Sequence, residues 1–307
     1  MDVQPALLDD YIYLAGRPSL RDFVGFARRH KIDGKRLEKE PLIREWQQAN
    51  EHIRHLEQAE KGMCEDPTIL PLPDEMRPIA DAALENHAVR ELWEGLHYRW
   101  CMVEIDRAIV FQKTINLRFV DEIKKALPAA PKQEDIMRVA IGKAWQSPPV
   151  RVTRSEEYTF LCVSSSNDIR ILEIDTFDPA LIQGYQAPGY ASTVIGICVG
   201  FSVNLLAAVL VRNRLVLYNG SHRAFALRDL GITHVPCLVL DLSREGEFDL
   251  KAPEALRDNR DLYLKTPRPS LFKDYFDPRL RKILPVPRTN NLVQLQIGYQ
   301  KIGLAAM

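Results

Sequence analysis

RLVLYNGSHRAFALRDLGITHVPCLVLDL, residues 214–242, is the stretch from which the fold is read. Leu215, Val216, Leu217 and Tyr218 form a short apolar and aromatic run closed by Asn219-Gly220, the pattern of a strand running into a turn. A helical pattern starts at once. Ala224, Leu227 and Leu230 share one stripe, and Gly231 stands where a left-handed C-terminal cap belongs. Residues 235–240 are a second apolar run, so the order is strand, glycine turn, helix, strand.

A helix that opens directly after a glycine points unpaired backbone N–H groups and the positive end of its dipole at whatever lies above it. Asn219-Gly220-Ser221-His222-Arg223 is therefore a candidate anion seat. Gly220 allows a positive φ and a close backbone approach, Ser221 is placed to cap the helix, and His222 and Arg223 add donors in its first turn. The same residues also describe an ordinary capped helix with a solvated histidine and arginine.

Taken whole, Asn-Gly-x-His-Arg-x-x-Ala-Leu-x-x-Leu-Gly-Ile over 219–232, followed by Val-Pro-Cys-Leu-Val over 235–239, resembles the central box of the ParB/sulfiredoxin superfamily. Upstream, the strand-like run from Trp100 to Ile105 and the helical stretch over 117–127 are similar to the opening of such domains. Pro148-Pro149-Val150-Arg151-Val152 resembles their proline-led strand. The resemblance covers roughly residues 98–245. It implies an α+β fold, a mixed sheet with helices, and a turn in which Asn219, Gly220, Ser221, His222 and Arg223 hold nucleotide phosphates. Lys113, Thr114 or Arg118 would close on the ligand from the first strand-to-helix connection. ATP or CTP with Mg²⁺ is the ligand this implies, and a phosphotransferase or NTPase switch the activity.

Individual chemistries of the superfamily are narrowed by single positions. Sulfiredoxins carry a cysteine between the glycine and the histidine, where this chain has Ser221, whose hydroxyl lacks the low pKa and soft nucleophilicity of a thiol. The free-serine kinases use a carboxylate in the first connection, and here that connection reads Gln112-Lys113-Thr114. Glu104, Asp106, Asp121 and Glu122 lie nearby, and Glu104, Asp106 and Glu122 are the candidate catalytic carboxylates. Chromosome-partition members continue into a DNA-reading helix-turn-helix, but here a proline-rich arm follows. With 41 basic against 41 acidic residues no overall field draws the chain to nucleic acid, so DNA binding is not expected. No acidic cluster has metal-binding spacing. His52 and His55 share a helix face without a third ligand, so no metal is expected.

The 307 residues suffice for two domains, and 46% hydrophobic residues for a packed core. The five cysteines are odd in number, far apart and free of Cys-x-x-Cys spacing, as in a reducing cytoplasm. Met-Asp-Val-Gln-Pro begins no signal peptide. Glycine and polar residues interrupt the apolar stretch over 194–211, so no membrane span is expected.

Residues 1–97 read as an all-helical N-terminal region. A helix starts at Ser19, Leu42, Trp46, Ala49, Ile53 and Leu56 stripe a second, and a third covers 79–92 after a proline-rich break. Residues 98–307 read as the ParB/sulfiredoxin-like domain. A helix is expected over 134–145, an insertion at about 164–211 contains a loop over 184–190 and two apolar strands, and an arm covers 262–307. Val293, Leu295 and Ile297 alternate with glutamines, as in a closing strand. An alternative is a non-catalytic scaffold whose N-terminal region or insertion binds a protein partner or a second copy. Truncation of residues 1–95 separates that reading from nucleotide binding.

Overall fold

The computed structural model describes residues 7–29, 37–142, 149–166, 168–182, 184, 189–242, 252 and 254–301. In order, the elements are β1 (Leu8–Leu14), α1 (Leu20–Arg29), α2 (Lys39–Ala59), β2 (Ile69–Pro71), α3 (Arg77–Glu85), α4 (His87–Leu92), β3 (His97–Glu104), β4 (Thr114–Asn116), α5 (Leu117–Ala126), α6 (Gln133–Ile141), β5 (Arg151–Glu156), β6 (Thr159–Ser164), β7 (Ile169–Phe177), β8 (Val194–Phe201), β9 (Ala207–Val211), β10 (Arg214–Asn219), α7 (Ser221–Asp229), β11 (His234–Asp241), β12 (Arg281–Pro287) and β13 (Asn291–Gln296). The fold is α+β. Among the described residues no helix is long and apolar enough to cross a membrane.

Two compact units divide the chain: residues 1–143 with 204–288, and residues 144–203 with 289–307. The first unit contains a five-stranded sheet, β10-β9-β11-β3-β2, and a three-stranded sheet, β12-β1-β4. Its neighbouring strands are antiparallel except β9 and β11, which run parallel. β3, β9, β10 and β11 are largely buried because their runs are apolar on both faces, as expected of strands covered by helices.

The N-terminal region is not all helical. β1 is the central strand of its sheet, pairing β12 from Leu8↔Pro287 to Leu14↔Arg281 and β4 from Tyr11↔Asn116 to Tyr13↔Thr114. α1 and α2 pack on it through Phe23, Val24, Ala27, Leu42, Ala49 and Ile53. Ser19 Oγ accepts the Asp22 N–H and so starts α1. The helix expected over 79–92 is two helices, because extended Asn86 interrupts it and its side chain accepts the Ala88 N–H to start α4.

The insertion has different bounds from those expected. β9 lies between β10 and β11 in the five-stranded sheet, so residues 205–211 belong to the core. The second unit instead holds β13-β6-β5 and the β7-β8 ribbon, with the expected closing strand β13 paired to β6 from Asn291↔Ser164 to Gln296↔Thr159. Helix α6 is described to Ile141, and Trp145, Pro148 and residues 185–188 of the expected loop lie outside the described residues.

The proline-rich arm is built into the first unit. Val110 N–H donates to Ser270 O and Phe272 N–H to Ala108 O. Arg268 is fully buried and donates to both carboxylate oxygens of Asp274 and to Glu60. Tyr275 Oη donates to Gln112 O, and Phe276 stacks on Phe225 of α7 at 4.4 Å. The arm thereby braces the helix that carries the candidate seat.

Candidate functional site

α7 is buried on most of its circumference, with Ala224, Phe225, Ala226 and Leu227 all covered, while Leu230 of the expected stripe is 43% exposed. Gly220 is its N-cap at φ +88, and an added Cβ would lie 3.0 Å from the Leu206 Cα. Ser221 is thus the first helical residue and does not cap the helix. No side chain takes that role, and Asn219 Oδ1 accepts the Gly220 N–H at 2.7 Å. The helix ends as expected at Gly231, φ +85, where Ile232 N–H bonds Leu227 O and Gly231 N–H bonds Arg228 O, a Schellman arrangement.

The N–H groups of Ser221, His222 and Arg223 have no acceptor among the described residues, whereas the Ala224 N–H already bonds Gly220 O. α5 lies alongside and runs parallel. At one end the Asn116 N–H donates to His222 Nε2 at 2.9 Å, and at the other Lys124 pairs with Asp229. The two helix N-termini therefore lie together. Asn116 caps α5 by accepting the Arg118 N–H at 2.9 Å, and Phe119 meets the His222 ring edge-on at 5.7 Å.

His222 is fixed as a neutral ring. Burial first, then the adjacent Arg223 guanidinium, pull its pKa down to about 4. With Nε2 accepting from Asn116, the ring proton resides on Nδ1, a donor without a partner among the described residues.

Arg223 performs a different task from the one the sequence suggests. Its Nη1 donates to Ala140 O at 2.8 Å and Asn204 O at 2.7 Å, and its Nη2 to Asn204 Oδ1 at 2.6 Å. Ala140 belongs to the last turn of α6, so the guanidinium sits against orphan carbonyls at the negative end of that helix. Burial lowers its pKa to about 10, which leaves it charged at neutrality. Only its backbone N–H faces the seat.

A carboxylate that sequence reasoning missed organises the flank. Asp9 of β1 is 5% exposed and receives Arg288 on Oδ1, and Arg118 and Asn116 on Oδ2. Burial alone would raise its pKa, but these hydrogen bonds outweigh burial and hold it at about 2. The sequence carries no local signal for it, because Asp9-Asp10 between Leu8 and Tyr11 reads as a polar break. Of the candidate carboxylates, Glu122 reaches back to Arg118 in the first turn of α5 at 2.5 Å. Glu104 accepts from Thr68 at 3.1 Å and pairs in register with His234, and Asp106 binds Arg228 near the C-terminal end of α7. Those two are thus at the opposite end of α7 from Gly220. Lys113 is bound to Asp22 of α1 at 3.2 Å, and Thr114 pairs with Tyr13 and accepts from Gln112 through its carbonyl. Neither side chain has a bond to α7. Among the described residues no three His, Cys, Asp or Glu side chains are grouped to hold a metal ion.

No protein-family model, curated protein or solved structure matches the chain.

Proposed function

We propose that this protein binds the phosphate groups of a nucleotide, ATP or CTP with Mg²⁺, at the joined N-termini of α5 and α7, and acts as a phosphotransferase or NTPase switch of ParB/sulfiredoxin type. The observation that carries the reading is the Asn116–His222 hydrogen bond, which holds the two parallel helix starts side by side. Each N-terminus contributes about half a positive charge. Around them stand the guanidinium groups of Arg118 and Arg288, which pair with the carboxylates Asp9 and Glu122, and that of Arg223, which faces the end of α6. Net of the α6 dipole, a surplus on the order of one to two positive charges remains for an anion to meet. Three backbone N–H groups and the His222 Nδ1–H are the donors.

If a phosphoryl group is transferred, Glu122 is the candidate carboxylate on the correct side, because Asp9 has both oxygens occupied and Glu104 and Asp106 serve the other end of α7. We place the activity in the cytoplasm, where the free thiols of Cys64, Cys101, Cys162 and Cys237 persist.

Isothermal titration with ATP, CTP and GTP plus Mg²⁺ tests the proposal. The wild type is expected to bind at least one of them. His222→Gln, which keeps an acceptor for Asn116 but loses the ring donor, is expected to bind about tenfold more weakly, the loss of one hydrogen bond. Absence of heat with all three nucleotides refutes nucleotide binding and favours the scaffold reading.

A further inference from the structure

The chain passes between the two units three times, after residues 143, 203 and 288. On the side of the first unit, each crossing is fastened to one of the helix starts that form the seat. Arg223 of α7 ties the first two together: its Nη1 donates to Ala140 O at 2.8 Å and Asn204 O at 2.7 Å, and its Nη2 to Asn204 Oδ1 at 2.6 Å. The Leu206 N–H closes the same tie by donating to Ala140 O at 2.7 Å. The third crossing is fastened by Arg288, whose N–H donates to Leu7 O at 2.7 Å and whose guanidinium donates to Asp9 Oδ1. Asp9 Oδ2 in turn receives Asn116, the cap of α5, and Arg118 of its first turn. Within the second unit, two of the crossings return to one loop. The Ser202 N–H donates to Asp168 Oδ2 at 3.0 Å, Asn291 Nδ2 donates to Ser166 O at 3.2 Å, and the Asp168 N–H joins the two by donating to Ser166 Oγ at 3.1 Å.

We infer that the seat at α5 and α7 is the pivot of the second unit, and that an anion bound there tightens the roots by which that unit is attached. The inference rests on the reading of the seat as a nucleotide phosphate site. Only Val203 separates Ser202 from Asn204, and only residues 289 and 290 separate Arg288 from Asn291. Two residue steps span at most about 7 Å, so these connections have no slack in which a shift of Asn204 or Arg288 could be absorbed. An anion on the N–H groups of Ser221, His222 and Arg223 fixes the backbone that carries the Arg223 side chain, and its charge bears on Arg118 and Arg288. Order at the seat and order at the roots therefore stabilise each other, and by linkage whatever loosens a root weakens the ligand by the same factor. This accounts for the use made of Arg223, the long cation nearest the turn, which is spent wholly on the two crossings.

Hydrogen exchange of the full chain, alone and with saturating ATP or CTP plus Mg²⁺, tests it. The root amides of Leu206 and Arg288 are expected to exchange about fivefold or more slowly with nucleotide bound, while those of β3 and β11 change less. Asn204→Leu, at an exposed position apart from the ligand donors, removes one acceptor of Arg223. It is expected to weaken nucleotide binding about fivefold or more with the circular dichroism spectrum unchanged. Nucleotide that binds without protecting the root amides, that slows β3 and β11 equally, or that binds Asn204→Leu as tightly as wild type overturns the inference and leaves the seat standing. Absence of binding to the wild type refutes the seat and the pivot together.

Discussion

Lowering the pH from 7 to 5 is expected to destabilise the first unit by about 2 kcal/mol through His222 alone. Its pKa falls from 6.5 to about 4 on folding, so the unfolded chain binds the proton more tightly than the folded one. Stability from a neutral buried imidazole is therefore fully present above pH 6.5 and is lost progressively as pH falls toward 4. At pH 5 the unfolded chain is favoured about thirtyfold by this proton, which is about 2 kcal/mol. Asp9 and Asp277, each held at about 2 by hydrogen bonds that outweigh burial, lose their contributions only below the usual carboxylate range, so the window from 5 to 7 is clear of both. Urea unfolding followed by tryptophan fluorescence at pH 7, 6 and 5 reads the slope, and His222→Gln is expected to flatten it. A slope that persists in the variant, or a wild type equally stable at pH 5 and 7, refutes the assignment of His222 as a buried neutral acceptor.

Two further substitutions probe the frame around the seat. Gly220→Ala places a side chain at φ +88 against Leu206, and a loss of about 2 kcal/mol is expected in the urea midpoint; a loss under about 0.5 kcal/mol shows that the left-handed turn is not required. Arg268→Met leaves Asp274 and Glu60 without their shared cation, at an expected cost of about 3–5 kcal/mol in thermal or urea unfolding, and stability within about 1 kcal/mol of wild type removes the arm from the load on α7.

The box from β10 to β11 was legible because each of its signals is local. The Asn-Gly break, the glycine at Gly231 and the apolar runs all act within a few residues of one another, and φ +88 and φ +85 follow from the two glycines. β1 was not legible. Its pairing with β12 spans most of the chain, and Asp9 and Asp10 break its apolar alternation in a manner that reads as loop. Asp9 tolerates burial only because Arg118 and Arg288 arrive from distant segments to meet it, and no local pattern announces them. The insertion was placed too far downstream for a related reason. The polar break at Ser202 and Asn204 resembles a hairpin between two neighbouring strands, but β8 pairs with β7 while β9 joins β10 and β11.

The consecutive residues of the seat divide their work because a helix turns about 100° per residue. His222 faces β4 and Arg223 faces the end of α6, so neither long side chain is free to wrap a phosphate from the outside. What the sequence presents as two ligands is, in the structure, one neutral donor and one internal brace. The brace has a consequence for the seat itself. Arg223 holds Asn204 and the last carbonyls of α6 beneath Gly220, and the space there is full, since an added Cβ at Gly220 would meet Arg223 Nη2 at 3.0 Å and one at Gly142 would meet Nη1 at 2.8 Å. The glycine turn is therefore packed from below by the guanidinium. An anion bound as proposed would be held by backbone dipoles whose direction does not depend on rotamers. Loss of the Arg223 side chain would act through the placement of that backbone and the stability of α6, with no contact to the ligand removed.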